Sequence, residues 1–306
     1  MIISIVGPTA SGKTAVSLEV AEALGGPDAV EIISADAMQL YRGMDIGTAK
    51  ITASDRRGIA HHQLDVLGLH DVASVAAYQK HARADLAQIQ GRGRIPVVVG
   101  GSGLYVSALL DELEFPGHDA GIRAELEAEA SAGGYERLVA ELAQKDPESF
   151  RTIDSRNQRR VIRALEVIRL TGEPFTPTFP RHTSHYRGVR SFAVSRDMTV
   201  LEKAISGRTS EMFRQGLIEE TRGLIDQGLR SATTAARATG YAEAISVIDG
   251  KMTREEAAAS ISLATRRLAK KQGTWFRADP RLTWLDLTAG DVSAAAAQIV
   301  AMVGRS

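Results

Sequence analysis

Gly7-Pro8-Thr9-Ala10-Ser11-Gly12-Lys13-Thr14 brackets four residues between glycines and follows them at once with a lysine and a threonine. That spacing lets successive backbone N–H groups wrap an anion. The Lys13 ammonium can neutralise phosphate oxygens, and the Thr14 hydroxyl can bind phosphate or its magnesium. An apolar run, Ile2–Val6, precedes the loop and a helical run, Lys13 to Leu24, follows it. A glycine turn formed by chance has no need of that context, whereas a phosphate-binding loop requires it. A second group that could do chemistry is Asp36, at the end of the apolar run Glu31–Ala35. A carboxylate there suits a general base or an acceptor-orienting group, and it equally suits the cap of a turn. A third apolar run, Ile95–Val99, ends in Gly100-Gly101-Ser102-Gly103 and carries no aspartate to hold magnesium and activate water. Motor and hydrolase chemistry are disfavoured by that gap. The glycine turn itself reads either as backbone that approaches a ligand or as a tight strand-to-helix turn. Arg208, early in a helix after a returning strand, can reach the phosphate crevice, and His61-His62 reads as a packed or hydrogen-bonded pair rather than a metal site.

These groups need a scaffold. Apolar strands separated by helical stretches predict an α/β fold with a parallel sheet covered on both faces, like the core of P-loop NTPases. In such sheets the ligand sits at the carboxyl ends of the strands, so the Gly7–Thr14 loop, Asp36 and the Gly100 turn are expected to converge. From about Pro116 to Arg190 the texture changes to Ala/Glu-rich helical segments and a Pro-rich piece, Glu173 to Pro180. This predicts a helical insertion over 118–190 within a core made of 1–117 and 191–306. Phe192-Ala193-Val194 reads as the strand that returns to the sheet, with long helices over Leu201 to Gln227 and Thr253 to Phe276.

Composition sets the outer bounds. The chain has 306 residues, 44% hydrophobic, with no cysteine, so disulfides and Cys-based zinc sites are excluded. Basic and acidic side chains balance at 37 each, so bulk charge announces no nucleic acid. The distribution says more: Arg156, Arg159, Arg160, Arg163 and Arg169, then Arg266, Arg267, Lys270, Lys271 and Arg277, form two basic clusters. A helix from Asp154 to Leu170 would line up Arg156, Arg159 or Arg160, and Arg163 over an apolar base of Val161, Leu165 and Ile168. That ridge fits an RNA backbone or a solvated helix face. Trp275 and Phe276, beside the second cluster, read as core before they read as base-stacking platforms. Met1 to Val6 carries no basic leader and is too short to cross a membrane, so a cytoplasmic protein without membrane contact is expected.

Taken together, Gly7 to Thr14, the block Ser34 to Lys50 and Val99 to Tyr105 resemble the bacterial tRNA dimethylallyltransferase family. The resemblance continues through His61-His62, Arg159 to Glu166, Gly240-Tyr241 with Glu243, and Ala269 to Gln272 with Thr274 to Arg277, in family order. It implies transfer of a dimethylallyl group from its diphosphate to N6 of the adenosine 3′ of the anticodon, position 37 of the tRNA, releasing pyrophosphate. By this resemblance Asp36 takes or orients the N6 proton, while Lys13, Thr14 and Arg208 stabilise the departing pyrophosphate with Mg2+ bound at Thr14. The tRNA contacts it implies are Asp36, Ala37, Met38, Gln39, Ser102, Arg123, Gln158, Arg159, Arg160, Val161, Ile162 and Arg163. The anticodon stem-loop would be the partner and the enzyme a monomer. The sequence departs from the family at Ala37, where a serine is common, at Ser102 (threonine), Gln63 (an apolar residue) and Lys271 (arginine). Ala37 removes one possible hydrogen bond to substrate, whereas Ser102 keeps its hydroxyl.

The nearest rival reading is a small-molecule or nucleoside kinase, which would use the same loop and an acceptor-side aspartate but leaves the two arginine-bearing helices unexplained. A nucleotide switch that binds RNA without chemistry explains the helices but lacks an effector loop and a magnesium aspartate.

Overall fold

β1 (Ile2–Val6) is buried at every position, as are β2 (Val30–Ser34) and all but the first residue of β4 (Ile95–Gly100). Strands with no polar face must be covered on both sides. The computed structural model describes residues 1–175 and 182–304. It divides the chain into two units, Met1–Glu112 with His182–Ser306, and Leu113–Arg181. The sequence put the insertion at 118–190. The return is earlier because 183–188 already belong to the core: Glu112 N donates to Thr183 O at 2.9 Å and Ile2 N to Gly188 O at 3.1 Å. The Thr176–Pro180 part of the Pro-rich piece lies outside the described residues.

In the larger unit six strands form one parallel sheet in the order β3-β2-β4-β1-β5-β6. β3 is the pair His61–His62, β5 spans Val189–Ser195 and β6 spans Thr283–Asp286. Ile3, Ile5, Val97, Val99 and Phe192 face α1 (Lys13–Ala23) and the C-terminal helix Val292–Val303. Ile2, Ile33 and Val98 face the other way, onto α2 (Val75–Gly91) and α3 (Gly103–Leu110). The sequence had no reading for the tail beyond Arg277; it supplies the edge strand and the helix that closes one face.

The smaller unit holds α4 (Ala120–Glu129), α5 (Tyr135–Lys145), α6 (Pro147–Thr152) and α7 (Gln158–Thr171) around Leu126, Leu138, Leu142, Val161, Ile162 and Leu165. α7 starts at Gln158, not near Asp154, because Asn157 N turns back to Asp154 O at 2.8 Å and the Asn157 side chain caps the helix at Arg160 N. Back in the larger unit, α8 (Met198–Gln215) and α9 (Leu217–Asp226) replace the single helix expected over Leu201 to Gln227. Gly216, at φ 101°, breaks it. α10 (Tyr241–Ile248) and α11 (Arg254–Arg277) complete the unit. Among the described residues no helix is long and apolar enough to cross a membrane.

One buried charge anchors the sheet edge. Glu31 is 2% exposed and receives Arg92 Nε at 3.0 Å, Arg94 Nη1 at 2.9 Å and His62 Nε2 at 2.6 Å. Burial pushes its carboxyl up, yet the hydrogen bonds from Arg92, His62 and Arg94 outweigh that and bring it down to about 2. A depressed carboxyl stabilises the fold above its unfolded value, here 4.5, and the contribution disappears as pH falls toward 2. It amounts to about 3 kcal/mol. Urea unfolding of Glu31→Gln is expected to show that loss at pH 7 and to converge with the parent protein near pH 2; equal stability at pH 7 would remove Glu31 as an anchor.

Candidate active site

The chain reverses sharply at the ends of β1, β2 and β4, and all three reversals line one crevice. Thr9, Lys13 and Thr14 come from the first, Asp36 and Gln39 from the second, and Gly100 from the third, with Arg208 of α8 reaching in. Gly7 opens the loop at φ 151°, and a Cβ on it would lie 2.4 Å from Val194 O. Glycine is therefore obligatory where the loop leaves the sheet. Lys13 Nζ donates to Pro8 O at 3.2 Å, folded back over its own loop, and the Arg208 guanidinium donates to Thr9 Oγ1 at 2.6 Å. Thr9 N donates to Gln272 Oε1 of α11 at 2.7 Å. Sequence reasoning placed Gln272 only in a block of residues and gave it no role; it tethers the loop to α11.

The two cations feel the crevice strongly. Desolvation lowers Lys13 to about 8, against the attraction of Asp36, with Arg208 adding repulsion. Desolvation also lowers Arg208, again opposed by Asp36. Two cations so placed with one carboxylate gain from a polyanion that compensates their lost hydration.

Asp36 Oδ1 accepts Met38 N at 3.0 Å, and Oδ2 has no hydrogen-bond partner among the described residues. One oxygen thus caps the turn, as one of the two sequence readings has it, and the other is open. Beneath it Tyr78 and Tyr105 pack with ring centroids 4.6 Å apart. Burial raises both phenols, Tyr105 to about 12, so they stay neutral as a wall. Ser102 Oγ accepts Ala37 N at 3.3 Å and so ties the Asp36 turn to α3. The Gly100 turn is packed against the chain and also lines the crevice. A Cβ on Gly100 would meet Ala35 O at 2.2 Å, and one on Gly103 would meet the Trp275 ring at 2.2 Å. The close approach is between chain segments, and Trp275 with Phe276 is core. Gln39 accepts Ser34 Oγ at 3.2 Å and donates to Thr48 O at 3.3 Å, which brings Thr48 and Ala49 to the crevice wall.

The basic ridge is shorter than the spacing predicts. Arg156 precedes α7 and pairs with Asp154 at 3.0 Å. Arg163 and Arg123 both reach Glu166, a fully buried carboxylate that also takes His118. Burial pushes Glu166 up, and His118 and Arg163 bring it below its usual range. Val161 and Ile162 are core residues, so their side chains hold the helix and do not offer a contact surface. Gln158, Arg159 and Arg160 remain exposed at the start of α7. His61 and His62 hydrogen-bond to Ile59 O and Glu31, and no cluster of His, Cys, Asp or Glu able to cage a metal is present among the described residues. Thr14, exposed to the crevice, offers one hydroxyl, which fits a magnesium ion held chiefly by a ligand's own phosphates, as this cation commonly is.

Fold and crevice are those of an α/β enzyme in which the Gly7–Thr14 loop shares a crevice with Asp36, the one carboxylate among its described lining residues. The profile described as IPP transferase matches residues 39–279. The chain belongs to the IPP transferase family. It is 49% identical to the tRNA dimethylallyltransferase of Thermobifida fusca, over 95% of this chain and 91% of that one. It is 46% identical to the one of Salinispora arenicola, over 99% and 87%. Among solved structures it resembles the full-length tRNA isopentenylpyrophosphate transferase of Bacillus halodurans, at 39% identity and a TM-score of 0.72 over 99% of this chain and 95% of that one. A eukaryotic dimethylallyltransferase acting on tRNA shares the fold, with a TM-score of 0.83 at 23% identity over 97% and 77%.

Proposed function

We propose that this protein is a cytoplasmic, monomeric transferase that moves a dimethylallyl group from dimethylallyl diphosphate to N6 of the adenosine immediately 3′ of the anticodon in the tRNA anticodon stem-loop. The observation that carries the reading is the open Asp36 oxygen in the same crevice as Lys13, Thr14 and Arg208. The curated relatives are named tRNA dimethylallyltransferase, which supports the transfer of this group to tRNA. A kinase is not favoured.

In the reaction the allylic C–O bond breaks, its electron pair leaving with pyrophosphate, and the N6 lone pair forms the new C–N bond. The loop amides, Lys13 and Arg208 receive the charge that develops on the leaving group, which is where preorganised donors act most strongly. Asp36 accepts the proton that N6 gives up. Mg2+ at Thr14 would supply further neutralisation of the diphosphate. The adenine must leave its stack, at a cost of a few kcal/mol that is lower in a loop than in a duplex. Gln158, Arg159 and Arg160 offer donors for the RNA backbone.

The test is incubation with magnesium, radiolabelled dimethylallyl diphosphate and unmodified tRNA bearing adenosine beside the anticodon. Label is expected in the RNA and is expected to vanish when that adenosine is guanosine. Hydrolysis of ATP without RNA labelling would return the kinase reading.

A further inference from the structure

The sequence block Gly240-Tyr241 with Glu243 lies outside the crevice lining, and it converges on one acid that no motif singled out. Glu220 of α9 directs its carboxylate into three successive backbone amides, from Asp45 at 3.2 Å, Ile46 at 2.8 Å and Gly47 at 3.3 Å. Successive N–H groups converging in this way form an anion nest, and here the anion is part of the protein. Tyr241 is fully buried and donates its hydroxyl to the same carboxylate at 2.6 Å. Its ring lies so close to Gly47 that a Cβ there would stand 2.4 Å from it. Gly240, at φ 101°, presents Tyr241, and its amide is held by Glu243 at 2.9 Å, which Ser260 hydrogen-bonds in turn.

The other end of the loop is fixed separately. Buried Lys50 reaches Tyr41 O at 2.7 Å, Asp45 at 2.7 Å and Asp65 at 2.6 Å. Between the two anchors run Thr48 and Ala49, both on the crevice wall, and Thr48 O receives the Gln39 amide. The clamp therefore ends on Gln39, which belongs to the same β2 turn as Asp36.

We propose that Glu220 and Tyr241 are positioning residues for the acceptor: they hold the 45–49 segment, and through Thr48 the Gln39 side chain, at the setting that lets the adenine amine meet Asp36. This rests on the transfer reaction proposed above. Neither residue lines the crevice or hydrogen-bonds to the Gly7–Thr14 loop, so their effect is expected to fall on the acceptor.

The experiment compares full-length Glu220→Gln, Glu220→Asp and Tyr241→Phe with the parent protein. Label transfer to an anticodon stem-loop RNA is measured at saturating dimethylallyl diphosphate, alongside calorimetric binding of magnesium pyrophosphate. Glu220→Gln is expected to lower kcat/KM for the RNA about 10- to 100-fold, with pyrophosphate affinity unchanged within about twofold. Tyr241→Phe keeps the ring against Gly47 and loses one hydrogen bond, so a smaller fall is expected, and Glu220→Asp is expected to recover part of the loss. If Glu220→Gln does not fold, Tyr241→Phe carries the same comparison. Parental turnover in both variants, or a loss of pyrophosphate affinity matching the loss of turnover, would overturn the proposal. A parent protein that labels no RNA overturns the functional reading beneath it instead.

Discussion

Asp36→Asn is expected to lower the rate of transfer by about 10²- to 10⁴-fold while leaving the affinities for pyrophosphate and RNA near those of the parent protein. Asparagine matches aspartate in size and keeps an oxygen that accepts Met38 N, the bond Asp36 Oδ1 makes at 3.0 Å. The turn, and its tie through Ala37 N to Ser102, is thereby preserved. What the substitution removes is a base at the open oxygen. A rapid-quench measurement of label transfer, with saturating RNA and diphosphate, reads that step directly. Activity within a fewfold of the parent would leave Asp36 as a cap and nothing more. Asp36→Ala, which removes cap and base together, is expected to be no more active than Asp36→Asn.

The second large effect concerns Lys13. Burial holds its ammonium at about 8, well under the ordinary lysine value of 10.5. The charged form is the one that binds diphosphate. Affinity for magnesium pyrophosphate is therefore expected to be insensitive to this group below pH 8 and to fall up to about tenfold per unit above it, as binding must draw a proton from solution. Calorimetry across pH 6 to 10 checks the break, and proton uptake on binding at pH 9 gives an independent reading. Lys13→Met should abolish the break and weaken binding about 10²- to 10³-fold. The same substitution is expected to stabilise the free protein. A lysine whose folded value lies below its unfolded one opposes folding at every pH below about 8, and the opposition fades toward 10.5. Relief of about 1–3 kcal/mol at pH 7 follows, visible as a higher Tm. A lower Tm in Lys13→Met would show that the ammonium is compensated in the free protein.

Much of this site can be read from local sequence. The phosphate loop, the strand before it and the helix after it depend on contacts within a few residues, and the structure places them as the spacing implies. Asp36 is legible for the same reason, since a carboxylate at the end of a buried strand has few places to go. Arg208 is legible only as a charge on a helix that returns to the sheet; its bond to Thr9 spans 199 residues. Gln272 and Glu220 were not assigned from sequence, because each acts on backbone amides far along the chain, and a backbone group leaves no mark in a side-chain pattern. The arginine ridge erred in the opposite direction. Regular spacing suggested a free basic face, but a single buried glutamate, Glu166, draws Arg123 and Arg163 to itself. Periodicity reports which side of a helix a residue occupies and is silent on what it meets there.

The order of the strands has a consequence for how the protein comes into being. β1 lies between β4 and β5, and its partner on the latter side begins only at Val189. A chain emerging from the ribosome carries the whole Gly7–Thr14 signature from the start, yet β1 stays an open edge until the insertion has been synthesised. Arg208 and Gln272, which brace the loop, arrive later still. Long-range pairing of this kind is slow and leaves exposed strand edges in the meantime. A nascent chain halted anywhere in 113–181 thus displays the sequence of a phosphate site without the residues that brace it, and a fully braced loop marks a molecule translated past Gln272.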